Sequence, residues 1–323
     1  MSVIGAIPSP SSGVVKIGPL PIHMYGLCIA LGVIAAVWLT GRRAEASGAG
    51  TRDDVSAMAV WAVIAGVIGA RLYHVATDWE KFRGNLGEIP KIWQGGLGIP
   101  GGMLAGALVG MWYLHRRGKS VAMMATAAAP ALPLAQAIGR VGNYFNQELF
   151  GKPTNLPWAL RIDDKHLPVG YVSGTTFHPT FLYEVLWNLA LCAALIWIGK
   201  HVRLRPGRLL AIYVVGYGIG RFWVEGLRID EAKSGGGLRL NQWMAIIITT
   251  LALGYLLIDW FIHRREPILD PASASADRGF GGEQSTVKPT NGVDALADRG
   301  FGSAQIAPKP TNEDAGRSAE VDP

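Results

Sequence analysis

Residues 139–158 read GRVGNYFNQELFGKPTNLPW, and the interpretation of the whole chain depends on this stretch. It follows an apolar run, residues 121–138, which Pro130 and Pro133 interrupt. Within nine positions the stretch then holds five polar or charged side chains, namely Arg140, Asn143, Asn146, Gln147 and Glu148. Such side chains are costly in or beside a membrane-spanning segment unless they serve a function. The stretch therefore predicts a functional site at the edge of a lipid bilayer.

The composition predicts a polytopic membrane protein. Half of the residues are apolar, 17% are charged and the mean hydropathy is +0.24, a combination that is rare in soluble domains. Residues 1–20 lack the basic start and apolar core of a secretory signal peptide, so we expect the first apolar run to be retained. The net charge of +6 does not indicate nucleic-acid binding, because the basic residues are scattered among connections and form no single face.

Seven apolar runs are long enough to span a bilayer, which takes about 20 helical residues. They cover residues 22–40, 55–76, 97–115, 121–138, 181–199, 209–226 and 242–262. The connections that follow runs one, three, five and seven are short and dense in Lys and Arg, whereas the others are long and poorer in basic residues. The positive-inside rule then places the amino terminus outside and the carboxyl terminus in the cytoplasm. We predict an all-α membrane protein with seven transmembrane helices, whose stretch 139–158 begins on the outer side.

The chain divides into two predicted parts. Residues 1–266 hold the seven runs and every candidate catalytic residue, so we predict that they form one transmembrane catalytic domain. Residues 267–323 are too polar, and too rich in Pro, Gly, Ser and Thr, to build a core. In that part ADRGFG at 276–281 recurs at 297–302, and KPTN recurs with the same period of 21 residues. We predict a disordered cytoplasmic tail that is dispensable for chemistry.

Few ionisable side chains lie within or beside the apolar runs. Arg221 and Glu225 are four residues apart, so they share a helix face and can pair, with Tyr217 one turn further back. Arg71 and Arg140 add two cations, which gives more positive charge than the neighbouring acids balance. A guanidinium group binds two phosphate oxygens at once. An excess of arginine in a cavity open to lipid therefore favours a phospholipid headgroup as the ligand.

The third run carries glycines at intervals of four residues, Gly98, Gly102, Gly106 and Gly110. This spacing produces a smooth face that lets another helix approach closely. Gly101 and Gly102 also follow Pro100, and the backbone amides at such a helix start are a candidate anion site.

The sequence predicts neither a metal nor a cofactor. Cys28 and Cys192 both lie in apolar runs, without the spacing of a metal site or of a disulfide framework. The chain has no P-loop, no HExxH and no GxGxxG in a suitable context.

Five segments resemble motifs of the bacterial prolipoprotein diacylglyceryl transferase family, and the resemblance covers residues 17–265. The signature of that family matches at Arg140, Gly142, Asn143, Asn146, Glu148, Leu149, Gly151 and Pro153. The other four segments are HMYG at 23–26, GAR at 69–71, HPT with LYE at 178–184, and the motif of Tyr217, RF and VE at 217–225.

The resemblance implies transfer of the diacylglyceryl group of phosphatidylglycerol to the lipobox cysteine in the signal peptide of a preprolipoprotein. Glycerol phosphate would leave and a thioether would form. The resemblance also implies a multi-pass protein of the bacterial plasma (inner) membrane, with its active site towards the outer face. Together with the long tail, it indicates an actinobacterial-type member.

The chemistry needs a thiolate and a stabilised phosphate leaving group. We expect Arg140 and Arg221 to bind the phosphate. The family often has a histidine directly before the Gly-Gly of the third helix, where this chain has Pro100. This chain therefore either needs no such base or has it elsewhere, and Glu148 and His178 are the candidates. Glu148 and Glu225 are also expected to orient the arginines. The residues that we expect to bind or orient the substrate are Tyr25, Arg71, Gly101, Gly102, Asn143, Asn146, Gly151, Tyr217 and Glu225.

Two functions from other classes also fit the sequence. A phospholipid transporter or flippase would use the same arginines for headgroup recognition, although the seven runs do not divide into two similar halves. A catalytically silent membrane scaffold is the other alternative, and Pro100 is the feature that suggests it.

Overall fold

The seven apolar runs all form α-helices in a computed structural model of the chain, which describes residues 6–230 and 234–264. In chain order the helices are α1 (Met24–Ala46), α2 (Arg52–Thr77), the short α3 (Trp79–Phe82), α4 (Ile99–Arg116), α5 (Val121–Ala128), α6 (Ala131–Asn146), α7 (Thr180–His201), α8 (Arg208–Leu227) and α9 (Leu240–His263). The predicted disordered tail, residues 267–323, lies outside the described residues.

Among the described residues, four helices are long and apolar enough to cross a membrane, and the bent pair α5–α6 adds a fifth. The four are α1, α2, α7 and α9. Their outer surfaces expose large apolar side chains such as Ile34, Leu72 and Leu251, which suit contact with lipid chains. The prediction of a mostly helical membrane protein is confirmed. The count of seven spans and their orientation stay predictions.

The fourth run differs from its prediction in two ways. Pro130 separates α5 from α6, whose axes are bent by 44°, because proline lacks an amide hydrogen and clashes with the preceding turn. Pro133 instead lies in the first turn of α6, where proline is tolerated. The predicted span ends at residue 138, but α6 continues to Asn146. Arg140 and Asn143 are therefore helical, because a helix can continue after its apolar run ends.

Gln147 ends α6 in the left-handed conformation, with φ of 52°. This conformation is uncommon for a residue with a side chain. The Gln147 amide group donates to the Pro10 carbonyl and to Asp163 Oδ2, and its Oε1 accepts from the Asp163 amide, each at 2.8 Å. These three hydrogen bonds hold a sharp turn that directs the chain from α6 back over the helix ends.

Short strands occupy the end of the bundle where α1, α7 and α9 begin. β1 (Ile7–Pro8) pairs in parallel with β4 (Leu160–Arg161), which pairs antiparallel with β5 (Thr176–Phe177). The remaining strands form two antiparallel hairpins, β2 (Val14–Ile17) with β3 (Leu20–His23) and β6 (Ser234–Gly235) with β7 (Leu238–Arg239). Under the first sheet lies a small core of Phe150, Leu160, Ile162 and Phe177.

The long helices pack in two groups that α1 connects. α2 lies along α4, while α6 packs against α7, α7 against α8, and α8 against α9. α1 contacts both α2 and α6. At Gly32 of α1 a Cβ atom would lie 2.9 Å from the Ala135 carbonyl oxygen, so this glycine lets α1 approach α6 closely.

Candidate active site

Two arginines from different helices meet at one carboxylate. Arg140 of α6 forms an ion pair through its Nε with Glu184 Oε2, and Arg221 Nη1 of α8 lies 3.5 Å from Glu184 Oε1. Glu184 comes from α7 and is 7% exposed. A carboxylate in such a position is stable only when it is paired. Glu184 thus holds the two guanidinium groups side by side.

Glu225 forms a second centre one turn along α8. Arg221 Nη2 lies 2.8 Å from Glu225 Oε2, so the pairing predicted from the spacing of four residues is confirmed. The Glu225 side chain is completely buried, and its Oε1 accepts from Arg239 Nε at 2.8 Å and from Asn241 Nδ2 at 3.0 Å. Arg228 Nη1 lies 3.6 Å from Glu225 Oε2. Glu225 therefore ties α8 to the start of α9.

Asp230 completes this arrangement outside the helices. It accepts from Arg228 Nε at 2.7 Å and from Arg239 Nη2 at 3.0 Å. Burial alone would raise the pKa of Asp230, but the hydrogen bond and charge of Arg228 and the charge of Arg239 outweigh it and lower that pKa. Asp230 therefore stays ionised at neutral pH and neutralises two arginines.

A hydrogen-bonded branch extends from Arg140 to Glu148. Arg140 Nη1 donates to Asn143 Oδ1 at 3.4 Å, and Asn143 Nδ2 donates to Glu148 Oε1 at 2.9 Å. Asn146 Nδ2 donates to the same Glu148 oxygen at 3.2 Å. Asn143 is buried, whereas Glu148 is exposed. The structure thus brings four of the predicted site residues of the stretch 139–158 together.

Among the described residues, this network holds as many carboxylates as arginines when Glu148 is included, which differs from one expectation. The sequence suggests a surplus of arginine, but the four arginines in contact here, 140, 221, 228 and 239, accompany four carboxylates, 148, 184, 225 and 230. Arg71, which contributed to the expected surplus, lies elsewhere. A phosphate would therefore compete with carboxylates for donors such as Arg221 Nη2, whereas Arg221 Nη1 has no hydrogen-bond partner among the described residues and is available to it.

Gly151 lies where three backbone segments cross. Its amide donates to the His178 carbonyl at 2.9 Å, and the Lys152 amide donates to the Leu227 carbonyl at 2.8 Å. A Cβ atom at Gly151 would lie 2.8 Å from His178 Cβ and 3.1 Å from the Leu227 carbonyl oxygen. The absence of a side chain at Gly151 therefore allows the segment after α6 to pass between the start of α7 and the end of α8.

The His178 side chain faces an aromatic group and not the arginine network. His178 Nδ1 lies 3.0 Å from Tyr183 Oη, which accepts from Trp158 Nε1 at 3.1 Å. Burial, and then the charge of Lys152, lower the pKa of His178 below its ordinary value. His178 is therefore neutral at pH 7. Among the described residues, no contact joins its side chain to Arg140 or Arg221.

The two predicted tyrosines have different surroundings. Tyr25, at the start of α1, packs against Gly142 of α6, where a Cβ atom would lie 2.7 Å from Tyr25 Cδ2. Tyr217 lines a narrow cavity between α7 and α8. The other residues of that cavity are Glu184, Trp187, Asn188, Gly220, Arg221 and Val224.

Gly101 and Gly102 lie in the contact between α4 and α2. A Cβ atom at Gly102 would lie 3.0 Å from the Gly66 carbonyl oxygen, and one at Gly101 would clash with the Gly69 carbonyl. The Gly102 amide also donates to the Gly98 carbonyl at 3.2 Å. These contacts agree with the predicted smooth helix face. No contact among the described residues joins the two glycines to the arginine network, and their role in binding an anion stays a prediction.

Arg71 contacts the connection after α2 and, among the described residues, none of the arginine network. Its guanidinium group donates to the backbone carbonyls of Glu88, Ile89, Gly95 and Gly96 at distances of 2.6–3.1 Å. It also lies over the Phe82 ring, 5.2 Å from the ring centroid. These contacts fasten the connection between α2 and α4. This geometry does not test whether Arg71 binds substrate, which stays a prediction.

We expect Arg71→Lys to loosen the connection between α2 and α4. The ammonium group of lysine lacks the planar fork of donors with which arginine reaches four carbonyls. Tryptic cleavage at Lys81, Arg83 or Lys91 should become faster in folded protein, and the midpoint of thermal unfolding should fall. The exposed Arg116→Lys, at the opposite end of α4, is the matched control. An unchanged cleavage rate and midpoint would contradict an anchoring role.

The sequence profile of the family described as Prolipoprotein diacylglyceryl transferase matches residues 12–258. The chain belongs to this family. The resemblance drawn from the five motifs is confirmed, and the matched range includes every residue of the arginine network.

Curated relatives resemble this family member over most of its length. It is 44% identical over 289 residues to phosphatidylglycerol–prolipoprotein diacylglyceryl transferase 2 of Streptomyces coelicolor, covering 88% of this chain and 90% of the relative. The transferases of Frankia alni and Cutibacterium acnes are each 47% identical to it, over 285 and 256 residues. The Frankia alni alignment covers 86% of this chain and 73% of the relative. The Cutibacterium acnes alignment covers 78% of this chain and 86% of the relative. The prediction of an actinobacterial-type family member agrees with these matches.

Sequence reasoning missed several residues of the site in this family member. Glu184 belongs to a motif, but its place between Arg140 and Arg221 depends on the packing of three helices. Arg228 follows Glu225 by three residues, so helical spacing was a signal that could have found it. Arg239 and Asn241 enter from the connection to α9, and the sequence carries no local signal for their contact with Glu225.

Proposed function

We propose that this protein transfers the diacylglyceryl group of phosphatidylglycerol to the cysteine thiol of a prolipoprotein. The observation that carries this proposal is the pair Arg140 and Arg221, held side by side by Glu184 within a bundle of apolar helices. Two forks of hydrogen-bond donors at one point suit a phosphate group. The family match and the substrates named for the curated relatives support the same reaction.

In this reaction the thiol sulfur attacks the glycerol carbon that bears the phosphate. The bond from that carbon to the phosphate oxygen breaks, the oxygen keeps the electron pair, and glycerol phosphate leaves. Negative charge therefore grows on the phosphate in the transition state. Arg140 and Arg221 stabilise this charge because their donors are already oriented by Glu184 and Glu225, so little reorganisation is needed.

The remaining predicted residues are assigned to holding the lipid. Asn143 and Asn146 bind the glycerol of the headgroup, with Glu148 fixing the orientation of both amides. Tyr25 and Tyr217 line the two sides of the site, and Gly151 shapes the backbone next to it. Arg71 on α2, and Gly101 and Gly102 on α4, are also assigned to binding the lipid.

The thiol proton needs an acceptor, and the contacts favour Glu148 over His178. Glu148 is joined to Arg140 through Asn143, whereas His178 contacts Tyr183. We expect Glu148→Gln to lower kcat by at least about 100-fold, as loss of a general base does. Protein that is inserted to the normal level but keeps its activity would contradict this assignment.

The pH–rate profile of the Lys152→Gln variant tells whether His178 or Glu148 accepts the thiol proton. If His178 accepted the proton, the rate would rise with pH through the pKa of His178, which burial and Lys152 lower. Removing the Lys152 charge would raise that pKa and shift the acidic limb of the profile to higher pH. With Glu148 as the base, we expect no shift. A shift to higher pH would assign the proton to His178.

We further propose seven transmembrane helices in the bacterial plasma membrane, with the amino terminus and the active site at the outer face. The basic connections after α1, α4, α7 and α9 support this orientation. The acceptor is then the lipobox cysteine of the prolipoprotein signal peptide, on the same side as the strands. A cysteine introduced at the exposed Val172 should react with an impermeant thiol reagent in intact cells. Reaction only after lysis would reverse the orientation.

The transfer reaction itself is the direct test of function. Purified protein is mixed with phosphatidylglycerol and a lipobox peptide, and the peptide mass is followed beside a Cys→Ser peptide. We expect a diacylglyceryl mass shift on the cysteine peptide alone. Lipid movement between leaflets without a mass shift would favour a transporter, and bound lipid without either activity would favour a silent scaffold.

A further inference from the structure

Two unpaired polar atoms of opposite kind belong to side chains that line one narrow cavity between α7 and α8. Asn188 of α7 is 3% exposed, and its Oδ1, a hydrogen-bond acceptor, has no donor among the described residues. Arg221 Nη1 of α8 is a buried donor, and the described part of the chain offers it no hydrogen-bond acceptor. Most buried polar atoms in proteins are hydrogen-bonded, so two exceptions in one place call for an explanation. A ligand group that pairs with both atoms would provide it.

The two side chains border a space that holds very little. Asn188 follows Glu184 by four residues, so both lie on one face of α7. Glu184 Oε1 lies 3.5 Å from Arg221 Nη1, and all three side chains line the cavity. The cavity has room for about one water-sized group. A single small group can therefore contact Asn188 and Arg221 at once.

The unpaired atoms restrict the chemistry of that group. An ionised phosphate or a carbonyl oxygen accepts from Arg221 Nη1 but has no hydrogen to give to Asn188 Oδ1. An ammonium group donates to Asn188 Oδ1 but offers Arg221 no acceptor. A hydroxyl group does both, because its oxygen accepts one hydrogen bond while its hydrogen donates another. The cavity therefore suits a hydroxyl group.

Phosphatidylglycerol carries a hydroxyl group close to its phosphate, on the second carbon of the headgroup counted from the phosphate ester oxygen. Resting on the proposed function, we propose that this middle hydroxyl donates to Asn188 Oδ1 and accepts from Arg221 Nη1. An Nη group has two hydrogens, so the other hydrogen of Nη1 serves the phosphate. The terminal hydroxyl of the headgroup is left to Asn143 and Asn146.

Asn188 is then a specificity-determining residue for the lipid headgroup. Phosphatidylethanolamine carries an ammonium group on the carbon where phosphatidylglycerol carries the middle hydroxyl. That ammonium group would leave Arg221 Nη1 without an acceptor, and an unpaired buried donor is costly. A site that hydrogen-bonds a substrate hydroxyl discriminates against analogues that lack it.

A phospholipid whose headgroup is propane-1,3-diol tests the role of the middle hydroxyl. It keeps the phosphate, both acyl chains and the terminal hydroxyl, and lacks only the group assigned to Asn188. We expect wild-type protein to use phosphatidylglycerol with a kcat/KM at least about tenfold higher than that for this analogue, the effect of losing one hydrogen bond or more. The Asn188→Leu variant should lose about tenfold with phosphatidylglycerol and keep its rate with the analogue within about threefold.

The substitution and its control keep the fold intact. Leucine has nearly the shape of asparagine and removes an unpaired buried amide oxygen, so the variant should fold at least as well. Thr249→Val is the matched control, because Thr249 is a polar residue in the contact of α9 with Gly218 of α8 and does not line the cavity. It should keep the wild-type preference for phosphatidylglycerol.

Several outcomes would overturn the proposal. A preference for phosphatidylglycerol that survives in Asn188→Leu would mean that another residue recognises the middle hydroxyl. An equal loss with both lipids would assign Asn188 Oδ1 to a bound water or, if the KM for the peptide rises, to a donor of the peptide. Equal wild-type rates with both lipids would show that the hydroxyl is not recognised. Absence of transfer from either lipid by the wild type would instead overturn the proposed function.

Discussion

Replacing Arg221 or Arg140 with alanine is expected to lower kcat/KM for diacylglyceryl transfer by about 10²–10³-fold or more. Each change removes one of the two guanidinium groups that meet at Glu184, and the loss of one preoriented donor to a developing anion has effects of this size. Mass spectrometry of the lipobox peptide, with the rate normalised to inserted protein, gives the measurement.

Lysine at either position should recover only part of the rate. The charge remains, but the two parallel hydrogen bonds to a phosphate are lost. Arg208→Ala is the control for Arg221 on the same helix. Arg208 pairs with Asp259 at the opposite end of α8 and, within the described part of the chain, contacts none of the network. It should transfer at a nearly normal rate per inserted molecule. Nearly normal transfer by both single alanine variants at 140 and 221 would refute the assignment.

Gly151→Ala is expected to impair both folding and transfer. The added methyl group would lie 2.8 Å from His178 Cβ and 3.1 Å from Thr180 Cγ2, so the segments that cross at Gly151 must separate. Overpacking of this kind costs about 1–3 kcal/mol of stability. We expect a lower midpoint of thermal unfolding and a fall of more than about tenfold in kcat/KM, since the displaced segment continues from Asn146 and Glu148.

Gly139→Ala is the matched control for that change. A Cβ atom at Gly139 has open space within 4 Å, and alanine suits a helix better than glycine. This variant should be as stable and as active as the wild type. If Gly151→Ala were inactive with an unchanged midpoint, Gly151 would contact the substrate and its role in the crossing would be minor.

Helix positions were predictable from the sequence because each apolar run is close to the length of about 20 residues that a membrane helix needs. The pairing of Arg221 with Glu225 was predictable for a similar reason, since a spacing of four residues fixes a shared face whatever the surroundings are. The end of α6 was not predictable in this way. Its last turns are polar, and the hydrogen bonds of Gln147 that end the helix come from residues far along the chain.

The contacts between helices were beyond local reasoning. Glu184, Arg239 and Asn241 gain their significance from the neighbours that packing gives them, and no spacing within one segment reports such neighbours. Arg71 is a residue whose type suggests one kind of partner, while the fold gives it another. An arginine at the end of an apolar helix suggests an anion site, yet the carbonyls of a following connection use its donors. The residue type indicated the chemistry, but only the fold shows the partner.

The balanced charge of the arginine network has a consequence for turnover. Because every guanidinium group already has a carboxylate neighbour, an anion gains less on arrival than it would in a purely cationic pocket. Weak binding of the phosphate group suits a catalyst whose lipid substrate is dissolved in the surrounding bilayer at high local concentration. For the same reason we expect weak inhibition by released glycerol phosphate, because the carboxylates compete with that product for the arginines.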